Sequence, residues 1–253
     1  MKNRSEKQKQ IRLWAVLVWL AVWQVGSMAL GQEVLLVSPV SVLVRLGELV
    51  RTAGFWSSVG FSLLRIGGGC FLAIVVGVAL AALAGRFTRV RELVAPLMLV
   101  IKAIPVASFV ILVLVWVPSR NLSVVISFLI VLPVIYTNVV GGIRAADPQI
   151  LEMARVFRLP AGRTVRYIYV SQVLPFFRTA LSVGLGLCWK AGVAAEVIGL
   201  PKGSIGMKLH EAKIYLETPD VFAWTVTIVV VSYAFEKALL RCVDAGVRHM
   251  EKM

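Results

Sequence analysis

Apolar residues gather in six long runs, near 13–31, 59–85, 93–117, 121–143, 175–199 and 221–241, with short polar stretches between them. Each run meets, within a residue or so, the roughly 20 mostly apolar residues that a helix needs to cross a hydrocarbon core of about 30 Å. The pattern predicts an all-α integral membrane protein with about six transmembrane helices. Its expected order is a basic segment 1–12, a first transmembrane helix 13–31, an amphipathic segment 32–58, a core of five more spans over 59–241, and a polar tail 242–253. In the amphipathic segment Leu43, Leu46 and Val50 recur at helical spacing, as on a helix lying at a membrane surface. Residues 201–216 read the same way. Val117, Pro118, Ser119, Arg120 and Asn121 read as the tight turn of a helical hairpin between the third and fourth spans.

Charge orients these spans. The first segment carries Lys2, Arg4, Lys7, Lys9 and Arg12 against Glu6. The stretch after the second span carries Arg86, Arg89 and Arg91 against Glu92, and the tail Arg241, Arg248 and Lys252 against Asp244 and Glu251. The 144–174 loop carries Arg144, Arg155, Arg158, Arg163 and Arg166 against Asp147 and Glu152. The alternate loops are closer to balance. The positive-inside rule therefore predicts cytoplasmic ends and a cytoplasmic 144–174 loop.

Composition supports a bilayer as solvent. Hydrophobic residues make up 59% and charged residues 16%, against about 45–50% and 25% in soluble domains. The net charge of +14 falls in short stretches between apolar runs and not in a patch on a polar domain, which excludes a nucleic-acid binder. Cys70, Cys188 and Cys242 form no metal or disulfide pattern and read as small apolar residues. The run from Leu13 to Gly31 is longer than a signal-peptide core, so it reads as an uncleaved span despite the cleavage-like Ser27-Met28-Ala29.

The longest basic loop carries the most definite pattern. Asp147-Pro148 reads as a helix start, with Asp capping free amides and Pro in the first turn. Ile150, Ala154 and Phe157 then share one face, Leu151 lies at its edge, and Glu152 and Arg155 lie opposite. Pro160 and Gly162 end the helix, and Arg163-Thr-Val-Arg166 leads to Leu174-Pro175 and the fifth span. Such a helix either packs on the membrane surface or docks its apolar face into a groove on a cytoplasmic partner.

Glu152-Met-Ala154-Arg155-Val-Phe157 with the later Leu174-Pro175 resembles the EAA loop of ABC importer permeases. Further pieces agree: Ser38-Pro39, Ser62-Leu-Leu-Arg65, Lys102-Ala-Ile-Pro105, Asn138, Gly141-Gly142-Ile143-Arg144 with Asp147-Pro148, Ala195-Glu196, and Gly203-Ser-Ile-Gly206. Over roughly residues 35–240 the chain is similar to the sulfonate, taurine and nitrate branch of type I permeases. The resemblance implies a MetI-like permease fold and an ATPase-coupling loop with Asp147, Glu152, Ala154, Arg155, Phe157, Arg158 and Gly162. It implies a separate cytoplasmic ATP-binding subunit that holds ATP and Mg, an extracytoplasmic solute-binding protein, a permease homodimer, and no cofactor in this chain. Two positions depart from the family. Arg158 stands where it usually has Gly, so Pro160 and Gly162 are expected to make the turn slightly later. Ser171 stands where it often has Pro.

Ionisable residues within spans are costly and need a partner or a watery cavity. Arg65, Lys102, Lys190 and Glu196, together with Pro105 and Asn138, are candidates for a translocation pathway, with structural ion pairs or snorkelling as the plainer role. Gly67, Gly68, Gly69, Gly77 and Gly85 fit close helix packing, and Pro105 and Pro133 fit kinks. The chain holds no phosphate-binding loop of the G-x-x-x-x-G-K-[ST] type, and His210 and His249, outside the spans, form no catalytic set. The pattern thus points to a transport subunit and not an enzyme. A secondary transporter or channel is the alternative; it would explain the spans but leave the loop without a purpose.

Overall fold

The computed structural model describes residues 13–31 and 35–251. The basic segment 1–12, Glu33 and Lys252 lie outside the described residues, as do the side chains of Arg248, His249 and Glu251. Eleven α-helices and one π-helical stretch follow one another among the described residues, without a strand. They are α1 (Leu13–Leu30), α2 (Pro39–Val50), α3 (Ala53–Arg86), α4 (Thr88–Ala103), α5 (Val106–Leu114), α6 (Ser119–Arg144), α7 (Pro148–Val156), α8 (Ala161–Arg163), the π-helical Thr164–Tyr169, α9 (Val170–Gly199), α10 (Ile205–Ile214) and α11 (Thr218–Glu251).

α3, α6 and the continuous Thr164–Gly199 helix are each long and apolar enough to cross a membrane on their own. Trp14–Leu30 within α1 is apolar but short, at the lower limit for a span. α11 runs for 34 residues. The third predicted run, 93–117, is not one straight helix: α4 and α5 meet at 105°. Pro105 explains the break. It has no amide hydrogen to continue the ladder, and its ring forces the preceding residue out of the helical region. Ile104 is accordingly extended, at φ −76° and ψ 128°. Pro133, by contrast, lies inside the continuous α6.

α6 is the central element. Ile66, Cys70 and Ala73 of α3 and Leu181, Leu185 and Cys188 of α9 close around its Val131, Leu132, Ile135 and Val139. In lipid, apolar burial gives helices little reason to associate, so close packing has to hold them together. Gly69 shows how close: a Cβ there would lie 2.2 Å from the Val124 carbonyl oxygen of α6. α5 packs Phe109, Val110 and Val113 against Leu122 and Ile126 of α6 and Ala191 and Ala195 of α9. All three cysteines are free; Cys70 and Cys188 are buried in the core and Cys242 is exposed.

α2 is amphipathic, but on a different face from the expected one. Val42 is buried, Leu46 and Leu49 pack toward Phe55, Val59 and Trp224, and Leu43 is exposed. α10 packs one side against its neighbours. Its Ile205, Gly206 and Ala212 are buried where it meets α3, α9 and α11. A guanidinium links α2 to α11: Arg45 of α2 pairs with Asp220 at the start of α11 and, at 2.8 Å, with Glu48.

Candidate functional site

Two groups of residues carry the chemistry expected of this chain: the loop around α7 and the polar positions within the spans.

α7 is a nine-residue helix between α6 and the Thr164–Gly199 helix. Asp147 starts it as predicted, its carboxylate accepting from the Gln149 amide at 2.9 Å. The Asp147 amide donates to Gln172 Oε1 at 2.8 Å, which ties the start of α7 to α9. Of the expected apolar face, Ala154 turns inward and is 3% exposed. Ile150, Met153 and Phe157 turn outward, with Met153 51% and Phe157 72% exposed. At about 100° per residue these three share one side of the helix. Val156, 78% exposed, widens the apolar surface. Met153 and Val156 lie outside the set that the sequence pattern marks, although helical spacing from Phe157 and Ile150 places Met153 between them. Glu152 and Arg155 are exposed.

The end of α7 shows what replaces the family's glycine. Leu159 N–H donates to the Ala154 carbonyl at 2.9 Å and Arg158 N–H to the Arg155 carbonyl at 3.0 Å. These are the paired bonds of a Schellman motif, which puts the donor of the second, the residue just past the helix, in the left-handed region. That residue is Arg158, at φ +50°. The turn therefore falls where the family has Gly, and Arg158 bears the strained conformation itself. Gly162 does not make the turn; it lies within α8. Of Arg163-Thr-Val-Arg166, Arg163 ends α8 and the rest begins the long helix, which opens in a wider π-helical winding, Val170 N–H reaching the Val165 carbonyl. The irregular stretch between spans is thus shorter than 144–174.

Within the spans, the expected polar residues separate into two kinds. Glu196 is enclosed, at 0% exposure. Its Oε2 accepts from the Ser62 hydroxyl at 2.7 Å and the Gly206 amide at 3.2 Å, and Ser62 accepts from the Ile205 amide at 3.0 Å. The first turn of α10 is thereby fastened to α3 and α9, and amides at a helix N-terminus are suited to a carboxylate. Gly206 is required by this approach, since a Cβ there would lie 2.3 Å from the Glu196 Cβ. Glu196 therefore lines no open path within this chain. Its grouping with Gly206 and the distant Ser62 is hinted at only by the need of an intramembrane charge for donors.

The other kind remains accessible. Lys190 is exposed on α9 and has no polar partner among the described residues. Lys102, in the last turn of α4 beside the Pro105 break, is exposed and donates to Thr137 Oγ1 of α6 at 3.2 Å. Asn138, next to Thr137, donates its amide to the Val134 carbonyl at 2.8 Å. Arg65 lies apart from these, donating to Asn121 Oδ1 at 2.7 Å and stacking over Phe61 at 4.5 Å.

Comparison with known proteins gives the family. Residues 73–249 match the family described as binding-protein-dependent transport system inner membrane component. The chain is 25% identical over 255 residues to the putative aliphatic sulfonates transport permease protein SsuC of Bacillus subtilis, covering 99% of this chain and 88% of that protein. It is 23% identical over 240 residues to the taurine transport system permease protein TauC of Escherichia coli, covering 92% and 87%. It is 25% identical over 208 residues to the formylaminopyrimidine transport permease protein ThiX of Halalkalibacterium halodurans, covering 82% of each.

Proposed function

The chain belongs to the family of binding-protein-dependent transport system inner membrane components and is a multi-pass ABC transport permease, not an enzyme; on that premise we propose that α7 couples it to a separate cytoplasmic ATP-binding subunit. The observation that carries this reading is the outward apolar face of Ile150, Met153 and Phe157 on a short helix tethered to the spans at Asp147 and Gln172. Exposed apolar residues on a cytoplasmic helix favour a groove on a partner. The partner supplies ATP and Mg, because this chain carries no phosphate loop. Nucleotide-driven closure of the partner would move α7, and the long helix that follows would pass the motion to the spans. An extracytoplasmic binding protein delivers the solute, and two copies of the permease enclose the path around a two-fold axis. The basic loops set the orientation, with both termini and α7 in the cytoplasm.

The solute is a small anion. Two of the relatives are named for sulfonate and taurine transport, and the exposed intramembrane cations Lys190 and Lys102 are suited to negative charge. Mild solubilisation of a C-terminally tagged chain tests the coupling: an ATP-binding protein co-purifies, and Phe157→Ala with Met153→Ala reduces its yield. A chain that emerges alone under several mild detergents would favour a transporter without an ATPase.

A further inference from the structure

Behind α7, on the side away from Ile150, Met153 and Phe157, a cavity of about 450 Å³ opens between the helix and the Thr164–Tyr169 stretch. Leu151, Ala154 and Leu159 form an apolar floor, and Arg155 and Arg158 line it with donors, beside Thr164, whose hydroxyl donates to the Pro160 carbonyl at 3.4 Å. Neither arginine makes an ion pair or side-chain hydrogen bond among the described residues. Both arginines line the one cavity, and an anion seated there would be held by charge-assisted bonds to them. A second hollow, of about 270 Å³, adjoins it and exposes only apolar surface. It lies between α3, α6 and the start of α9, lined by Val78 and Ala82, by Val139 and Ile143, and by Val173 and Phe177. Tyr169 lines both.

We propose that the two hollows form one site for an anionic phospholipid of the inner leaflet, with the headgroup phosphate at Arg155 and Arg158 and an acyl chain in the groove between α3, α6 and α9. The charged half faces the loop and the apolar half faces the bilayer core, the order in which such a lipid presents its parts. Tyr169 stands at the junction, where aromatic residues with a polar tip are favoured. A free anion would use only the first hollow, and an acidic side chain of a partner protein would have no use for the second. The bound lipid would brace α7 against the long helix from behind while its outward face stays free.

Native mass spectrometry of the full chain in mild detergent tests this, with phosphatidylglycerol and phosphatidylcholine as probes. Phosphatidylglycerol is retained in preference to phosphatidylcholine. Arg155→Gln with Arg158→Gln lowers that retention about tenfold or more, as loss of charge-assisted bonds implies. Arg155→Lys with Arg158→Lys keeps more of it than the glutamine pair, which separates lost charge from lost folding. Ala82→Trp, which fills the groove and leaves the arginines in place, lowers phosphatidylglycerol retention but not competition by inorganic phosphate for the cavity. Equal retention of the two lipids would overturn the proposal. So would retention indifferent to Ala82→Trp, which would mark a free-anion site. Unchanged lipid retention with loss of a co-purifying ATP-binding subunit in the glutamine pair would assign the arginines to a protein interface and overturn it as well.

Discussion

The Ser62 hydroxyl donates to Glu196 at 2.7 Å, joining α3 to α9 across 134 residues of sequence. Both side chains are fully buried. A carboxyl group enclosed among membrane spans needs its donors, and losing one leaves a polar atom unsatisfied at about 1–3 kcal/mol. Ser62→Ala is therefore expected to lower the melting temperature of the detergent-solubilised protein measurably. Gly206→Ala is expected to be worse, because the new methyl would meet the Glu196 Cβ at 2.3 Å. A Ser62→Ala protein that melts like the parent would show that the bond contributes nothing.

Arg158 occupies the left-handed region at φ +50°. For a residue with a Cβ this costs about 1–2 kcal/mol, and glycine escapes most of the cost. Arg158→Gly is expected to slow amide exchange at positions 158 and 159, the N–H groups of the Schellman motif. Arg158→Ala keeps a Cβ and is expected to bring no such gain. Faster exchange in the glycine variant would contradict the geometry.

The Arg45–Asp220 pair ties α2 to α11, and Asp220 is mostly buried. Asp220 first, then Glu48, hold the Arg45 guanidinium more firmly protonated than usual. Its charge is constant over any accessible pH, so the pair's strength follows ionic strength. A double-mutant cycle with Arg45→Gln and Asp220→Asn is expected to show coupling on the order of 1 kcal/mol, decreasing at high salt. Zero coupling at low salt would leave α2 held by its apolar face alone.

Lys190 is exposed on α9 without a polar partner among the described residues. Lys190→Met is expected to reduce uptake of an anionic solute by about tenfold if one charge–charge contact near 1.4 kcal/mol is lost. Solute-dependent uptake in proteoliposomes measures it, alongside Lys102→Met. Unchanged uptake in both would remove the cationic positions from the pathway.

α3, α6 and the Thr164–Gly199 helix are legible in the sequence as spans because length and apolar content are local properties. Asp147-Pro148 likewise marks the start of α7, since capping acts within one turn. The break at Pro105 is visible as a kink, but its 105° size depends on how α5 packs against α6 and α9. Gly162 misleads because composition names residues able to turn, whereas the paired carbonyls of α7 select Arg158. The inward face of α2 escapes sequence reasoning for a related reason: spacing gives a stripe, and only Phe55, Val59 and Trp224 decide which stripe is covered. The Ser62–Glu196–Gly206 grouping depends wholly on tertiary contact.

The coupling role of α7 is the central claim, and site-specific photocrosslinking tests it most directly. A photoreactive side chain would replace Phe157, with a second at exposed Leu43 on α2 as the control, in membranes that contain the whole transporter. The account predicts crosslinks from position 157 to an ATP-binding subunit, with a yield that changes when ATP is added, and none from position 43. Crosslinks from position 157 to lipid alone, with or without ATP, would contradict it and leave α7 as a helix that rests on the membrane surface.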